Sequence, residues 1–225
     1  MNPCDLARRI DNTLLKPYVG KNELETFCKA SIRYGFNAVY VPPWFLPRAT
    51  EILEIAGVTP ATVAGFPQGT QPIDIKVREV KWAVSNGARA VDYVINIAAA
   101  KDKNYKYVFS EAESIMSVAG DATIKAIIEI GYFDYEELKE LVDTLIDAGV
   151  HYIKTSTGFG PSGADPADVR LIREVVGDRI GIKAAGGIRT LSQLLKLLEA
   201  GADVIGTSSA YQIVHEAEAL SPRSR

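Results

Sequence analysis

The chain is poor in the residues on which several kinds of chemistry depend. Its 225 residues include two histidines, His151 and His215, and two cysteines, Cys4 and Cys28. None of them has metal-ligand spacing. A Ser-His-Asp arrangement has little to draw on, because His151 precedes an apolar run and His215 falls in the last helical pattern. Acidic residues form no cluster suited to a hard cation, and Cys28 reads as a buried thiol. No apolar run nears the roughly 18 residues of a membrane span. The opening MNPCDLARRI lacks the apolar core of a secretory signal. Cytoplasmic location without membrane association is therefore expected. Neither sign of charge dominates: the net charge is −3. With no basic patch, nucleic acid is not an expected partner, and any anionic ligand must be held by a local site.

What is present is a regular alternation. Apolar residues make up 47% and charged residues 24%, as in ordinary globular domains. Short β-rich runs at 10–14, 38–41, 61–65, 91–95, 124–129, 152–155, 181–184 and 203–207 are separated by helical patterns. Several runs are apolar on consecutive residues, as expected of strands covered on both faces. The helices announce their ends. Asp134 and Glu137 form a D-x-x-E start, Asp165-Pro166 an N-cap and first turn, and Thr190 with Gln193 a second capping box. Gly149, Gly177 and Gly201 supply stops. The order helix end, glycine, small residue, strand recurs in SNGARAVDYVI, DAGVHYIKT and EAGADVIGT, which marks one repeated supersecondary unit. Eight such strands in this length predict an α/β fold, a single-domain closed (β/α)8 TIM barrel over residues 1–220 followed by a short polar tail, 221–225. An open doubly wound sheet is the competing architecture.

In such a barrel the chemistry sits at the C-terminal ends of the strands. Those ends carry Asp11 and Thr13, Asp92, Glu129, Lys154, Lys183, and then Gly206 with Ser208 and Ser209. Two lysines on apolar strands demand a reason, because a desolvated ammonium is costly. They could be the buried ends of ion pairs to Asp92 or Glu129. Two ammonium groups close together, however, oppose each other's protonation, and burial pushes the same way. Lowering a lysine from about 10.4 to near 7 takes about 4 kcal/mol. The product is a neutral amine able to attack a carbonyl and form a Schiff base, with Asp92 and Asp11 near enough to move protons. Gly186 and Gly187 after one lysine, and residues 206–209 after the next strand, offer the exposed N–H groups of a phosphate cradle. Arg189, Thr157 and Gly158 border the same mouth.

The motifs IDNTLLKP (10–17), GFPQG (65–69), VDYVINI (91–97), IKTSTGFG (153–160), IKAAGGIR (182–189) and GTSSA (206–210) together resemble the 2-deoxyribose-5-phosphate aldolases, class I aldolases of the barrel type. The resemblance implies that Lys154 forms the Schiff base, that Lys183 is its electrostatic partner, and that Asp92 shuttles protons. It implies further that Asp11 and Thr13 line the pocket, and that Thr157, Gly158, Gly186, Gly187, Arg189, Ser208 and Ser209 hold phosphate. The implied reaction is reversible cleavage of 2-deoxy-D-ribose 5-phosphate to D-glyceraldehyde 3-phosphate and acetaldehyde, with phosphorylated sugars and aldehydes as ligands. No cofactor or metal is expected, and a homo-oligomer is. Three departures stand out: Asn12 where the family usually has histidine, Pro42 in place of an asparagine after the second strand, and no tyrosine after Tyr211. A related barrel aldolase or isomerase acting on another sugar phosphate is the alternative activity. A sugar-phosphate-binding barrel with structural lysine ion pairs is the non-enzymatic one.

Overall fold

A computed structural model describes residues 2–220; the polar tail expected at 221–225 lies outside the described residues. Eight parallel strands close into a barrel in sequence order: β1 (Ile10–Thr13), β2 (Ala38–Tyr40), β3 (Thr59–Ala64), β4 (Ala90–Val94), β5 (Thr123–Ile127), β6 (Tyr152–Lys154), β7 (Gly181–Ala185) and β8 (Val204–Thr207). After a short α1 (Pro3–Ala7), helices occupy every crossover: α2 (Lys21–Tyr34), α3 (Leu46–Leu53), α4 (Ile73–Ser85), α5 (Ile97–Lys101), α6 (Tyr105–Met116), α7 (Tyr135–Asp147), α8 (Pro166–Val176) and α9 (Leu191–Glu199). The last helix, α10 (Ala210–Leu220), follows β8. This is the expected (β/α)8 architecture. Strand boundaries fall within two residues of those read from the sequence.

The period of two in a strand sorts side chains into two layers. Val39, Val41, Val91, Tyr93, Ile124, Ile153, Ile182 and Ile205 share one continuous core with helix residues such as Leu138, Leu141 and Leu145 of α7. The alternate positions face the barrel axis. On one side they form a small apolar cluster, Ala38, Tyr40, Ala61, Val63 and Ala90. Elsewhere the interior is ionic, with Asp11, Asp92, Lys125, Lys154 and Lys183 all buried. The helix ends behave as their sequences require. Both capping boxes form, Asp134 with Glu137 opening α7 and Thr190 with Gln193 opening α9. Each satisfies N–H groups that the first turn leaves unpaired.

Asn12, on the parity opposite to Asp11, turns outward. Its Nδ2 donates to Ser31 Oγ on α2 at 3.0 Å, and Ser31 Oγ lies 3.1 Å from Tyr211 Oη. Tyr211 also donates to the Phe27 carbonyl and packs against Phe27, Tyr34 and Phe36. Tyr211 is thus fastened into an aromatic cluster behind β1.

Candidate active site

Parallel pairing sets Lys154 of β6 directly opposite Lys183 of β7, and Asp92 of β4 opposite Lys125 of β5. The inward side chains meet in one ionic network. Lys154 Nζ and Lys183 Nζ both donate to Asp92 Oδ2, at 2.9 and 2.8 Å. Lys183 Nζ also lies 2.7 Å from Asp11 Oδ2, which Lys125 Nζ approaches at 3.8 Å. Asn37 Nδ2 donates to the other Asp11 oxygen at 2.7 Å. Three ammonium groups therefore face two carboxylates, one positive charge more than the site can pair. Gly206 makes room for this packing. A Cβ there would lie 2.8 Å from Lys183 Cε and 3.1 Å from the Ala185 Cβ, so a side chain at 206 would displace the lysine from its two aspartates.

The protonation states follow from who is paired with whom. Burial would lower Lys183, but Asp11 and Asp92 outweigh it and hold its ammonium above the ordinary lysine range. Asp92 is buried, which by itself would raise its pKa. Lys154, Lys183 and Lys125 prevail and hold its carboxyl well below the usual range. Lys154 is different: burial pushes it down, Asp92 only partly restores it, and the Lys183 charge lowers it again, leaving it at about 8. Desolvation, more than the neighbouring lysine, thus makes this amine available. It sits somewhat higher than the near-neutral value expected from two opposed ammoniums, because both lysines share the Asp92 anion.

Lys154 is also the network amine that meets open space. It retains 6% of its side-chain surface, against 4% for Lys125, 1% for Lys183 and none for Asp92, and of the three lysines it is the one that lines the cavity. A cavity of about 440 Å³ opens above it at the C-terminal end of the barrel. Of the expected site residues, Thr13, Lys154, Thr157, Gly158, Gly186, Gly187, Arg189 and Ser208 line this cavity. Asp11, Asp92 and Lys183 lie beneath it as a second tier. Ser209 does not line it; its N–H donates to Thr207 Oγ1 at 2.9 Å at the start of α10. Two glycine loops form the rim. Gly158, Gly186 and Gly187 all have positive φ, and a Cβ on Gly163 would come within 2.7 Å of the Gly186 carbonyl. Only bare backbone lets these loops pack so closely.

Glu129 departs from expectation. Strand β5 ends at Ile127, and Glu129 occupies a left-handed turn with φ of 50°. Its carboxylate accepts from the Thr157 N–H at 3.2 Å and from the Thr157 hydroxyl. It therefore braces the β6 loop, and both lysines take Asp92 as their partner. Two members of the network are not among the expected residues. Lys125 carries a legible signal: the triplet I-K-[AT] occurs at 124–126, 153–155 and 182–184, so the lysines stand 29 residues apart twice over (154 − 125 and 183 − 154). Tyr40 is legible only as an aromatic of inward parity between Val39 and Val41. The β6 loop also spells GFGPSG at 158–163, a G-x-G-x-x-G string that a search for dinucleotide fingerprints registers. Here the helix α8 opens only at Pro166, so the string lacks the strand–turn–helix context that the fingerprint needs.

Fold and site together define a lysine-bearing (β/α)8 barrel of the aldolase class. The chain belongs to the DeoC/LacD family of aldolases, whose family model matches residues 10–216. It is 47% identical over 221 residues to a deoxyribose-phosphate aldolase of Thermococcus kodakarensis, spanning 96% of this chain and 99% of that one. It is 40% identical to a deoxyribose-phosphate aldolase of Dictyoglomus turgidum, over 96% and 98% of the two chains. A solved structure described as a tetrameric deoxyribose phosphate aldolase from Aeropyrum pernix superimposes with a TM-score of 0.92 at 32% identity, covering 98% of this chain and 94% of that one.

Proposed function

We propose that the protein reversibly cleaves 2-deoxy-D-ribose 5-phosphate to D-glyceraldehyde 3-phosphate and acetaldehyde through a Schiff base on Lys154. The observation that carries this reading is the Lys154 amine, lowered to about 8 and lining the open cavity. The free electron pair on Nζ attacks the C1 aldehyde of the open-chain sugar, and loss of water gives an iminium. Removal of the proton from the 3-hydroxyl lets the C2–C3 electron pair move into the iminium, which acts as electron sink. Glyceraldehyde 3-phosphate departs, leaving a two-carbon enamine. Protonation of that enamine and hydrolysis then release acetaldehyde and the free amine.

Asp92 and Lys183 handle the protons. Both lie below Lys154, so their exchange with the substrate runs through a water in the cavity or through the Lys183 ammonium. Lys183 stays charged and steadies negative charge developing on the sugar oxygens. Asp11 anchors Lys183, and Thr13 shapes the cavity wall. The phosphate lies on the N–H groups of the Gly158, Gly186 and Gly187 turns, with Ser208 and the Arg189 charge completing the cradle. Thr157 lines the cavity, but both its donors are taken by Glu129 and it shapes the loop instead.

Borohydride reduction in the presence of acetaldehyde is expected to attach an ethyl group to Lys154, read by peptide mass mapping. Because only the neutral amine reacts, the trapping rate should fall about tenfold per pH unit below about 8 and level off above it. An unmodified Lys154 peptide, or an inflection near 10, would remove the nucleophile assignment. A panel of sugar phosphates separates cleavage of deoxyribose 5-phosphate from action on a different substrate.

We further infer that residues 1–220 act as one catalytic unit in the cytoplasm and that this unit self-associates. Trp44 and Ile55 are exposed apolar side chains, and the Aeropyrum pernix relative is described as tetrameric. Light scattering on the purified protein should give a mass that is a multiple of 24.4 kDa; a monomer would rule self-association out.

A further inference from the structure

Tyr40 belongs to none of the motifs, yet it contacts Asp92, Lys125 and Lys183, with Lys154 Nζ 6.0 Å from its ring centroid. It is buried on β2 and does not line the cavity. Its Oη accepts from Lys125 Nζ at 3.0 Å and donates to Asp92 Oδ1 at 2.6 Å. Since an ammonium can only donate, the phenolic proton is committed to Asp92. That occupies Oδ1 and leaves Oδ2 as the shared acceptor for Lys154 and Lys183. The ring contributes separately. Lys183 Nζ stands 3.5 Å from its centroid, whereas Lys154 Nζ and Lys125 Nζ stand 6.0 and 5.6 Å away. A desolvated ammonium over an aromatic face is stabilised in its charged form, and the short distance selects Lys183.

The geometry points to Tyr40 as a positioning residue for the amine chemistry: its O–H fixes the Asp92 carboxylate, and its ring holds the second positive charge on Lys183, leaving Lys154 as the amine free to react. This rests on Lys154 being the nucleophile. Among the described residues the charged groups facing the pair are Asp11 from β1, Asp92 from β4 and Lys125 from β5, which burial also lowers below the ordinary lysine value and which lies over the Tyr152 ring at 5.1 Å. Tyr40 itself is a fixed donor. Burial and the neighbouring Asp92 push its phenol well above the ordinary tyrosine value, so it does not act as a base.

Two substitutions separate the O–H from the ring. Tyr40→Phe keeps the aromatic face and removes the donor to Asp92. It is expected to lower kcat about tenfold or more, the scale of a lost hydrogen bond to a charged group, with KM and the Lys154 inflection nearly unchanged. Tyr40→Met fills the space without a π face. Lys183 then holds its proton less firmly, repulsion on Lys154 eases, and the Lys154 inflection should move upward by about half a unit or more. The inflection is read by competitive acetylation with acetic anhydride and peptide mass mapping, with surface lysines as internal reference. This reading needs no substrate. An enzyme inactive on deoxyribose 5-phosphate would therefore defeat the reaction proposed above while the labelling still judges Tyr40. A folded Tyr40→Phe enzyme with wild-type kcat, or a folded Tyr40→Met enzyme with its inflection still near 8, overturns the assignment. If Tyr40→Met does not fold, the Tyr40→Phe result decides alone.

Discussion

Lys154→Met is expected to lower kcat by about 10⁴-fold or more, the scale of losing a covalent nucleophile, and to abolish the borohydride adduct. The fold should survive. The wild-type interior holds three ammoniums against two carboxylates, and burial lowers Lys154 to about 8, as it also lowers Lys125. Methionine is close in length and needs no hydration, so Asp92 keeps Lys183 as partner and the network becomes balanced. Thermal unfolding should occur at or above the wild-type temperature, because removing an ill-paired buried charge is often neutral or stabilising. Steady-state kinetics, adduct mapping and a melting curve on one preparation test this. Full turnover, or an adduct that moves to Lys183, would refute the assignment.

Asp92→Asn should separate amine formation from turnover. The carboxylate raises Lys154 toward its protonated form while burial and Lys183 lower it. Its removal therefore leaves Lys154 neutral to lower pH, and the trapping inflection should fall below about 8. Turnover should nevertheless drop by about 10² to 10⁴-fold, since the proton acceptor is gone. Lys183 keeps Asp11 at 2.7 Å and so retains one anion. Stability should fall by about 3–5 kcal/mol, the range for breaking a buried ion pair. A single preparation that forms the adduct faster at pH 7 yet turns over poorly is the expected signature. Parallel loss of both activities would place Asp92 in structural support alone.

The barrel was legible because its evidence is local and repeated. Eight apolar runs, glycine stops and capping pairs at Asp134–Glu137 and Thr190–Gln193 each follow from short-range physics. Lys154, Lys183 and Asp92 were legible for a related reason: a charge within an apolar strand is conspicuous. What escaped depends on three-dimensional proximity. Tyr40 looks like any core aromatic until the barrel closes and brings its hydroxyl to Asp92, 52 residues away. Lys125 was hidden by the strand's apolar company, although the spacing of the I-K-[AT] triplets marks it. Glu129 was misplaced because a strand end read from composition runs on through apolar Ile128, whereas the backbone has already turned. Ser209 shares its motif with Ser208, but the start of α10 takes its backbone away from the cavity.

The parity of the strands gives the ionic interior a second consequence, for assembly. If β5, β6 or β7 paired one residue out of step, its lysine would emerge among the leucines and isoleucines that the helices press against the barrel. Three ammoniums of one inward parity on three consecutive strands, Lys154 and Lys183 side by side and Lys125 two residues lower opposite Tyr152, thus act as a lock on alignment. A misaligned barrel would bury unpaired charge on its outer wall, while the aligned one gathers the same charges around two carboxylates. The groups proposed to carry the reaction therefore also discriminate the native closure from its nearest rivals.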